Sequence, residues 1–245
     1  MKVAERTDQG TGRVARLSDA ASERGKVIRM LTEDRLNGAQ ATRHPADARS
    51  RRANEGRRIR VVEVIGLLAV ASSVLYFVSD VIEAMQGGFS TGQLWLTLVA
   101  EATVPIFVIG LWLVQRPRMG RIGAVSAIAY TYSFVFFTGT VVYALVDGTR
   151  DFEQLGSALT PWMTIHGAVM LIAGVGFGYA VSRAGVLPRW TGMALAAGVV
   201  LIPLSMGAAD AVGLVAVGIR DLVFAGMGAA LLRDRELTHR IAPAP

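Results

Sequence analysis

Hydropathy averaged over windows of about 19 residues rises in six stretches, at residues 61–85, 94–114, 122–146, 161–181, 190–206 and 211–232. Each is close to the length of about 20 residues that a helix needs to cross a bilayer core, which predicts an all-α, polytopic transmembrane bundle of about six helices. Thr160-Pro161 reads as the start of the fourth helix, with the hydroxyl as cap and the proline in the first turn. Leu187-Pro188-Arg189 punctuates the turn before the fifth. Pro203 predicts a kink near the end of that short span, and the brief link 207–210 is expected to dip into the membrane.

No comparable stretch precedes Val61, so the first span is expected to act as an uncleaved signal anchor. Residues 1–57 carry Arg, Ala, Ser, Gly, Asp and Glu but no Trp, Tyr or Phe. Too little apolar surface is available there to offset chain ordering, which predicts a disordered basic tail. Within it, Val27, Ile28, Met30, Leu31 and Leu36 stand among charges over 18–36, the pattern of a short amphipathic helix. The chain thus divides into a tail at 1–57, a bundle at 58–236 and a short C-terminal tail at 237–245.

Charge sharpens this division. Of the 245 residues, 52% are hydrophobic, and the mean hydropathy is +0.44. The formal charge of +6 is uneven: residues 1–60 hold 15 of the 25 Lys+Arg and 8 of the 19 Asp+Glu, a net of +7, leaving −1 for 61–245. Arg116, Arg118 and Arg121 follow the second span, Arg183 and Arg189 the fourth, and Arg233, Arg235 and Arg240 the sixth. The alternate connections hold Asp80, Glu83, Asp147, Asp151, Glu153 and Asp210 against Arg150 alone. Positive charge marks the cytoplasmic side, so both termini are expected in the cytoplasm. Trp95 and Trp162 then mark the outer boundary and Trp112 and Trp190 the inner one. The juxtamembrane run Arg49, Arg51, Arg52, Arg57, Arg58 and Arg60 fits anionic lipid headgroups rather than nucleic acid, because it abuts the first span.

Several chemistries are excluded. The chain has no cysteine, which removes disulfides, thiolate metal sites, iron–sulfur clusters and thiol catalysis. Its two lysines, Lys2 and Lys26, lie in the tail, so no Schiff base forms within the membrane. Walker loops and H-E-x-x-H are absent, and His44 and His239 fall outside the spans, which argues against bis-histidine haem. No metal site and no cofactor are expected. Gly174-Val175-Gly176-Phe177-Gly178 has a G-x-x-x-G spacing that signals close helix packing.

Arg220 and Asp221 stand mid-span in the last helix, where a charge costs roughly 2.5 to 3.5 kcal/mol on insertion scales and must be answered by polar groups inside the bundle. Glu101 and His166 are candidates, and a rise of about 1.5 Å per residue puts them in one layer with Arg220, roughly 8 to 14 Å below the outer surface. Thr138, Thr140 and Tyr143 fall at comparable depth as polar walls, with Tyr130 and Tyr132 deeper. Glu101, His166, Arg220, Asp221, Thr138 and Tyr143 form the candidate polar site. One reading makes Arg220 with Glu101 or Asp221 an ion pair that locks helices together. The other notes two acids for one permanent cation, leaving room for protonated His166, a proton or a cationic ligand.

The membrane portion resembles a family of uncharacterised bacterial six-helix integral membrane proteins, a domain of unknown function. The resemblance rests on Leu98-Val99-Ala100-Glu101, on the turn from Ser182 through Gly185, Leu187, Pro188, Arg189 and Trp190 to Gly192, and on the charged last helix ending Leu231-Leu232-Arg233. It covers residues 58–236 and departs at Ala129-Tyr130-Thr131-Tyr132, where an Arg and an acid would stand. It implies a six-helix fold in a bacterial plasma membrane and no particular activity. Three functions follow from the residues: handling of a small molecule or ion at the polar layer, a membrane-embedded enzyme acting on a lipid or isoprenoid, and a structural or regulatory partner of another membrane protein. The first requires a cavity at Glu101, Arg220 and Asp221, the second a lateral opening wide enough for an acyl or prenyl chain, and the third a collapsed and fully paired layer.

Overall fold

The computed structural model describes Lys26 and residues 28–33, 45–205 and 210–233, and among these there are helices and turns but no strand. The chain divides into two compact units, Met1–Gly56 and Arg57–Pro245. In the first, residues 28–33 are helical, with Ile28, Met30 and Leu31 exposed and Thr32 Oγ1 donating to the Ile28 carbonyl at 2.7 Å. Most of the rest of the tail through residue 44, the link 206–209 and the tail 237–245 lie outside the described residues, whereas residues 45–57, expected to be disordered, are helical because they continue into the first span.

Helix α1 is Pro45–Gln86, of which Gly56–Gln86 is long and apolar enough to cross a membrane. Arg57, Arg58 and Arg60 are exposed on it, whereas the side chains of Arg49, Arg51 and Arg52 lie outside the described residues. A helical run from Thr91 to Asp147 breaks at Gly120, whose φ of 62° and ψ of −164° only glycine adopts without strain. The break yields two crossing helices, α2 (Thr91–Arg116) and α3 (Arg118–Asp147). The short α4 (Phe152–Ala158) follows, then α5 (Trp162–Ala184), α6 (Arg189–Ser205) and α7 (Asp210–Arg233). The ends carry local signals. Ser90 caps α2 by accepting from the Gln93 N–H, Gly148 closes α3 at φ 68°, Asp151 caps α4 at 2.8 Å from the Gln154 N–H, and Gly185 closes α5 at φ 62°.

The expected cap on α5 is absent. Pro161 precedes its first residue with no side-chain cap, and Thr160 Oγ1 donates instead to the Gly156 carbonyl at 2.6 Å, because the hydroxyl finds an acceptor in the preceding turn. The fifth predicted span is shorter than a full crossing. Its helix, α6, has 17 residues including Pro203, so among the described residues five helices are long enough to cross a membrane and a sixth is short.

Phe107, Phe134, Phe177, Phe224, Leu111, Leu195 and Met227 form the centre of the core, all almost fully buried. Elsewhere small residues bring the backbones together. A side chain on Gly192 would collide with the Gly178 carbonyl, so α5 and α6 touch backbone to backbone, and α1 meets α7 in the same way at Gly66 and Gly228. Outward, Leu67, Ile106, Ile172 and Leu222 are each more than half exposed, and only 33% to 50% of each long span is buried inside the protein. Apolar helices that leave half their surface uncovered need lipid against it. The chain is therefore built as a multi-pass membrane protein. Trp95, Trp162 and Trp190 are exposed, and Trp112 is half-buried under the Arg116 guanidinium, 5.6 Å from its ring.

Candidate functional site

The polar residues of α7 meet those of α1 and α2. Arg220 Nε donates to Asp221 Oδ1 at 2.9 Å, and Nη2 lies 2.9 Å from the same oxygen without a hydrogen bond's alignment. Neighbouring residues point about 100° apart on a helix, so both side chains must bend to meet. The pair sits wholly on α7 and cannot by itself tie that helix to another. What reaches across is the guanidinium face, 4.6 Å from the centre of the Tyr76 ring on α1. The Tyr76 hydroxyl in turn donates to Glu101 Oε1 on α2 at 3.3 Å. Asp221, Arg220, Tyr76 and Glu101 thus form one line across three helices, with the three charged side chains all buried.

Beside Arg220, Asp221 and Tyr76 lies a cavity of about 10 Å³, the scale that holds a single water. Ser72, Ser73, Val104, Phe107, Phe134 and Phe224 complete its lining. Ser72 and Ser73 donate to the carbonyls of Leu68 and Ala69, both at 2.7 Å, which leaves their oxygens as acceptors. Arg220 Nη2, Asp221 Oδ2, Glu101 Oε2, Asp80 Oδ2 and the Tyr130 hydroxyl are buried without a hydrogen-bond partner in the protein. In a bilayer an unmatched buried polar atom is costly, and one such atom on the guanidinium with four more on groups near it mark a place where a polar guest is stabilised.

A second polar stack occupies the α1–α2 interface. Ser79 Oγ and Thr97 Oγ1 are 2.5 Å apart, and Gln93 Nε2 approaches Ser79 Oγ at 3.0 Å, Thr97 Oγ1 at 3.0 Å and Glu83 Oε2 at 3.2 Å. Gln93 Oε1 has no partner. Asp80 stands within electrostatic reach of Arg220, Asp221 and Glu83.

The sequence-derived candidates separate. Arg220 meets Asp221 and is linked to Glu101 through Tyr76, but His166 is elsewhere. Its Nδ1 bonds the Trp162 carbonyl at 2.9 Å, its Nε2 bonds the Tyr132 hydroxyl at 3.1 Å, and its ring stacks on Phe136 at 3.6 Å. A carbonyl accepts only, so Nδ1 carries the proton and Nε2 receives the Tyr132 hydroxyl, which occupies both ring nitrogens. Tyr132 and Phe136 stand on either side of the cavity-lining Phe134 along α3, so His166 keeps the expected depth but lies against another face of that helix. Thr138 donates to the Phe134 carbonyl of its own helix at 2.8 Å, and Tyr143 is exposed. Neither touches the cavity.

Tyr76, Ser79, Asp80, Gln93 and Thr97 escaped the sequence reading, although a signal was present. On α1 the polar positions 72, 76, 79 and 83 recur every three or four residues, as do Gln93, Thr97 and Glu101 on α2, and each series marks one helix face. No group of three or more His, Cys, Asp or Glu suited to a metal occurs among the described residues. No family model, curated protein or solved structure matches the chain.

Proposed function

We propose that this protein takes up a proton at the buried Asp221–Arg220–Tyr76–Glu101 line, as a multi-pass protein of a bacterial plasma membrane with both termini in the cytoplasm. The observation that carries the reading is the cavity against Arg220 and Asp221, of about 10 Å³. It has room for a water or a proton carrier and none for an acyl or prenyl chain, which favours the ion reading over the lipid enzyme at this cavity. A dehydrated metal cation fits poorly, since half the wall is Val104 and three phenylalanines. Asp221, Glu101 and Asp80 outnumber the single guanidinium, so at least one carboxyl group needs a further positive charge, and a proton supplies it in the least space. Arg116, Arg118 and Arg121 between α2 and α3, and Arg183 and Arg189 between α5 and α6, support the cytoplasmic side for those connections and hence for both ends.

The helix-locking reading has the small cavity in its favour, but its ion pair lies within one helix. The test is proton entry into liposomes that contain the full chain and a trapped pH-sensitive dye, under an imposed pH step and potassium diffusion potential. The wild type is expected to carry protons, and Asp221→Asn to lose at least tenfold in rate. A folded, monodisperse wild type that leaves internal pH unchanged overturns the proposal.

A further inference from the structure

The α1–α2 hairpin has a regular register of polar pairs. Glu83 faces Gln93, Ser79 faces Gln93 and Thr97, and Tyr76 faces Glu101. As the chain descends α1 by three or four residues it ascends α2 by four, so each pair is one helical turn below the last. From Glu83 to Ser72, at the cavity, the polar face runs eleven residues, about 16 Å. Ser79, Gln93, Thr97 and Glu101 are all buried. Packing alone would be served by apolar side chains such as Ile65, Ala69, Val104 and Val108, which are buried farther along the same two helices.

From the proton reading above, we infer that protons reach the cluster along this α1–α2 face, entering at Glu83 and leaving the relay at Glu101. Three unmatched oxygens stand in sequence along it, Gln93 Oε1, Asp80 Oδ2 and Glu101 Oε2, each a free acceptor for a bridging water. Two of them belong to side chains at least 97% buried, Gln93 at 2% exposure and Glu101 at 3%. The mouth is open to solvent: Glu83 is half-buried beside the exposed turn at Gly87, within electrostatic reach of Asp151. Below Ser72 the same face becomes Ala69, Ile65 and Val62, so the polar run ends at the cavity and the cluster.

Transport along it needs no other reactant. A proton binds the Glu83 carboxylate and is released to a water at Gln93 Oε1. At rest the Ser79 and Thr97 hydroxyls each donate to the Gln93 backbone carbonyl at 3.2 Å; to relay, each turns its hydrogen off that carbonyl, accepts a proton from one neighbour and gives its own to the next. The excess proton comes to rest on Glu101, turning one carboxylate into a neutral acid while Arg220 stays paired with Asp221. One charge enters and one negative charge disappears.

The experiment uses the full chain in dye-loaded liposomes, comparing Asp221→Asn with Glu83→Gln, with the paired change Ser79→Ala and Thr97→Val, and with the conservative Thr97→Ser. Asp221→Asn should abolish proton entry. Glu83→Gln should slow it several-fold, Ser79→Ala with Thr97→Val at least tenfold, and Thr97→Ser should keep the wild-type rate because it keeps the relay oxygen. A second measurement does not depend on flux: the infrared carboxyl band that Glu101→Gln removes should follow an external pH step at least tenfold more slowly in Ser79→Ala with Thr97→Val than in the wild type. Loss of flux in Asp221→Asn with wild-type rates in the relay variants overturns the path and leaves the site reading standing. No flux in any protein overturns the site reading, and a Glu101 band that responds equally fast in the wild type and the relay variant then overturns the path as well.

Discussion

Replacing Arg220 by Leu tests the electrostatics of the cluster most directly. The guanidinium and the Asp221 carboxylate are 2.9 Å apart, which corresponds to about 6 kcal/mol of attraction at an effective dielectric constant of about 20. Most of that is cancelled by the cost of taking both charges out of water, so the net value of the pair is small. Removing one partner is different, because the other keeps its desolvation cost and loses its compensation. Arg220→Leu strands Asp221, only 4% exposed, and also removes the cation from the Tyr76 ring, so a loss of about 3 to 5 kcal/mol is expected. Asp221→Leu should cost a similar amount. The double replacement strands neither, and should lose less than the sum of the single changes by at least about 2 kcal/mol. Trp190, packed close to Gly226 on α7, reports α7 docking by fluorescence during unfolding in mixed detergent micelles. Additive losses, within about 0.5 kcal/mol, would refute the buried pair and the span that places it.

Two further outcomes are expected. Gly192→Leu should separate α5 from α6, since even a Cβ there collides with the Gly178 carbonyl, and should cost more than about 2 kcal/mol by thermal unfolding in detergent, whereas Gly156→Leu, with open space around it, should cost less than about 0.5. With no native cysteine to interfere, Gln86→Cys and Ser157→Cys should be labelled from outside intact cells by an impermeant thiol reagent and Arg121→Cys should not; the reverse pattern would invert the proposed orientation.

The helices were legible because a bilayer imposes one requirement, length in apolar residues, that each span meets or misses on its own. The one shortfall, α6, followed the same rule, as its 17 residues were already the shortest stretch. Arg220, Asp221 and Glu101 were legible because charge in an apolar run stands out without knowledge of neighbours. The grouping with His166 failed because position along a helix sets depth only, whereas contact also depends on azimuth: His166 meets α3 at the level of Phe134 but on another face. Ser79, Gln93 and Thr97 are individually ordinary in membrane helices, and their meaning lies in the pairing of two faces, which appears once the hairpin register is known.

The absence of a side chain at Gly198 sets where the buried guanidinium stands. A Cβ on Gly198 would lie 3.3 Å from the Arg220 backbone nitrogen and 3.4 Å from its Cα, closer than side chains normally approach a backbone, so α6 rests directly against α7 at the residue that carries the charge. From the other side the Tyr76 ring of α1 meets the guanidinium at 4.6 Å. Arg220 is thus held between two neighbours, one that fixes its backbone and one that fixes its head. Any bulk added at Gly198 would be passed along α7 to the charged cluster, so a residue with no side chain and no polarity governs the geometry of the most polar part of the protein.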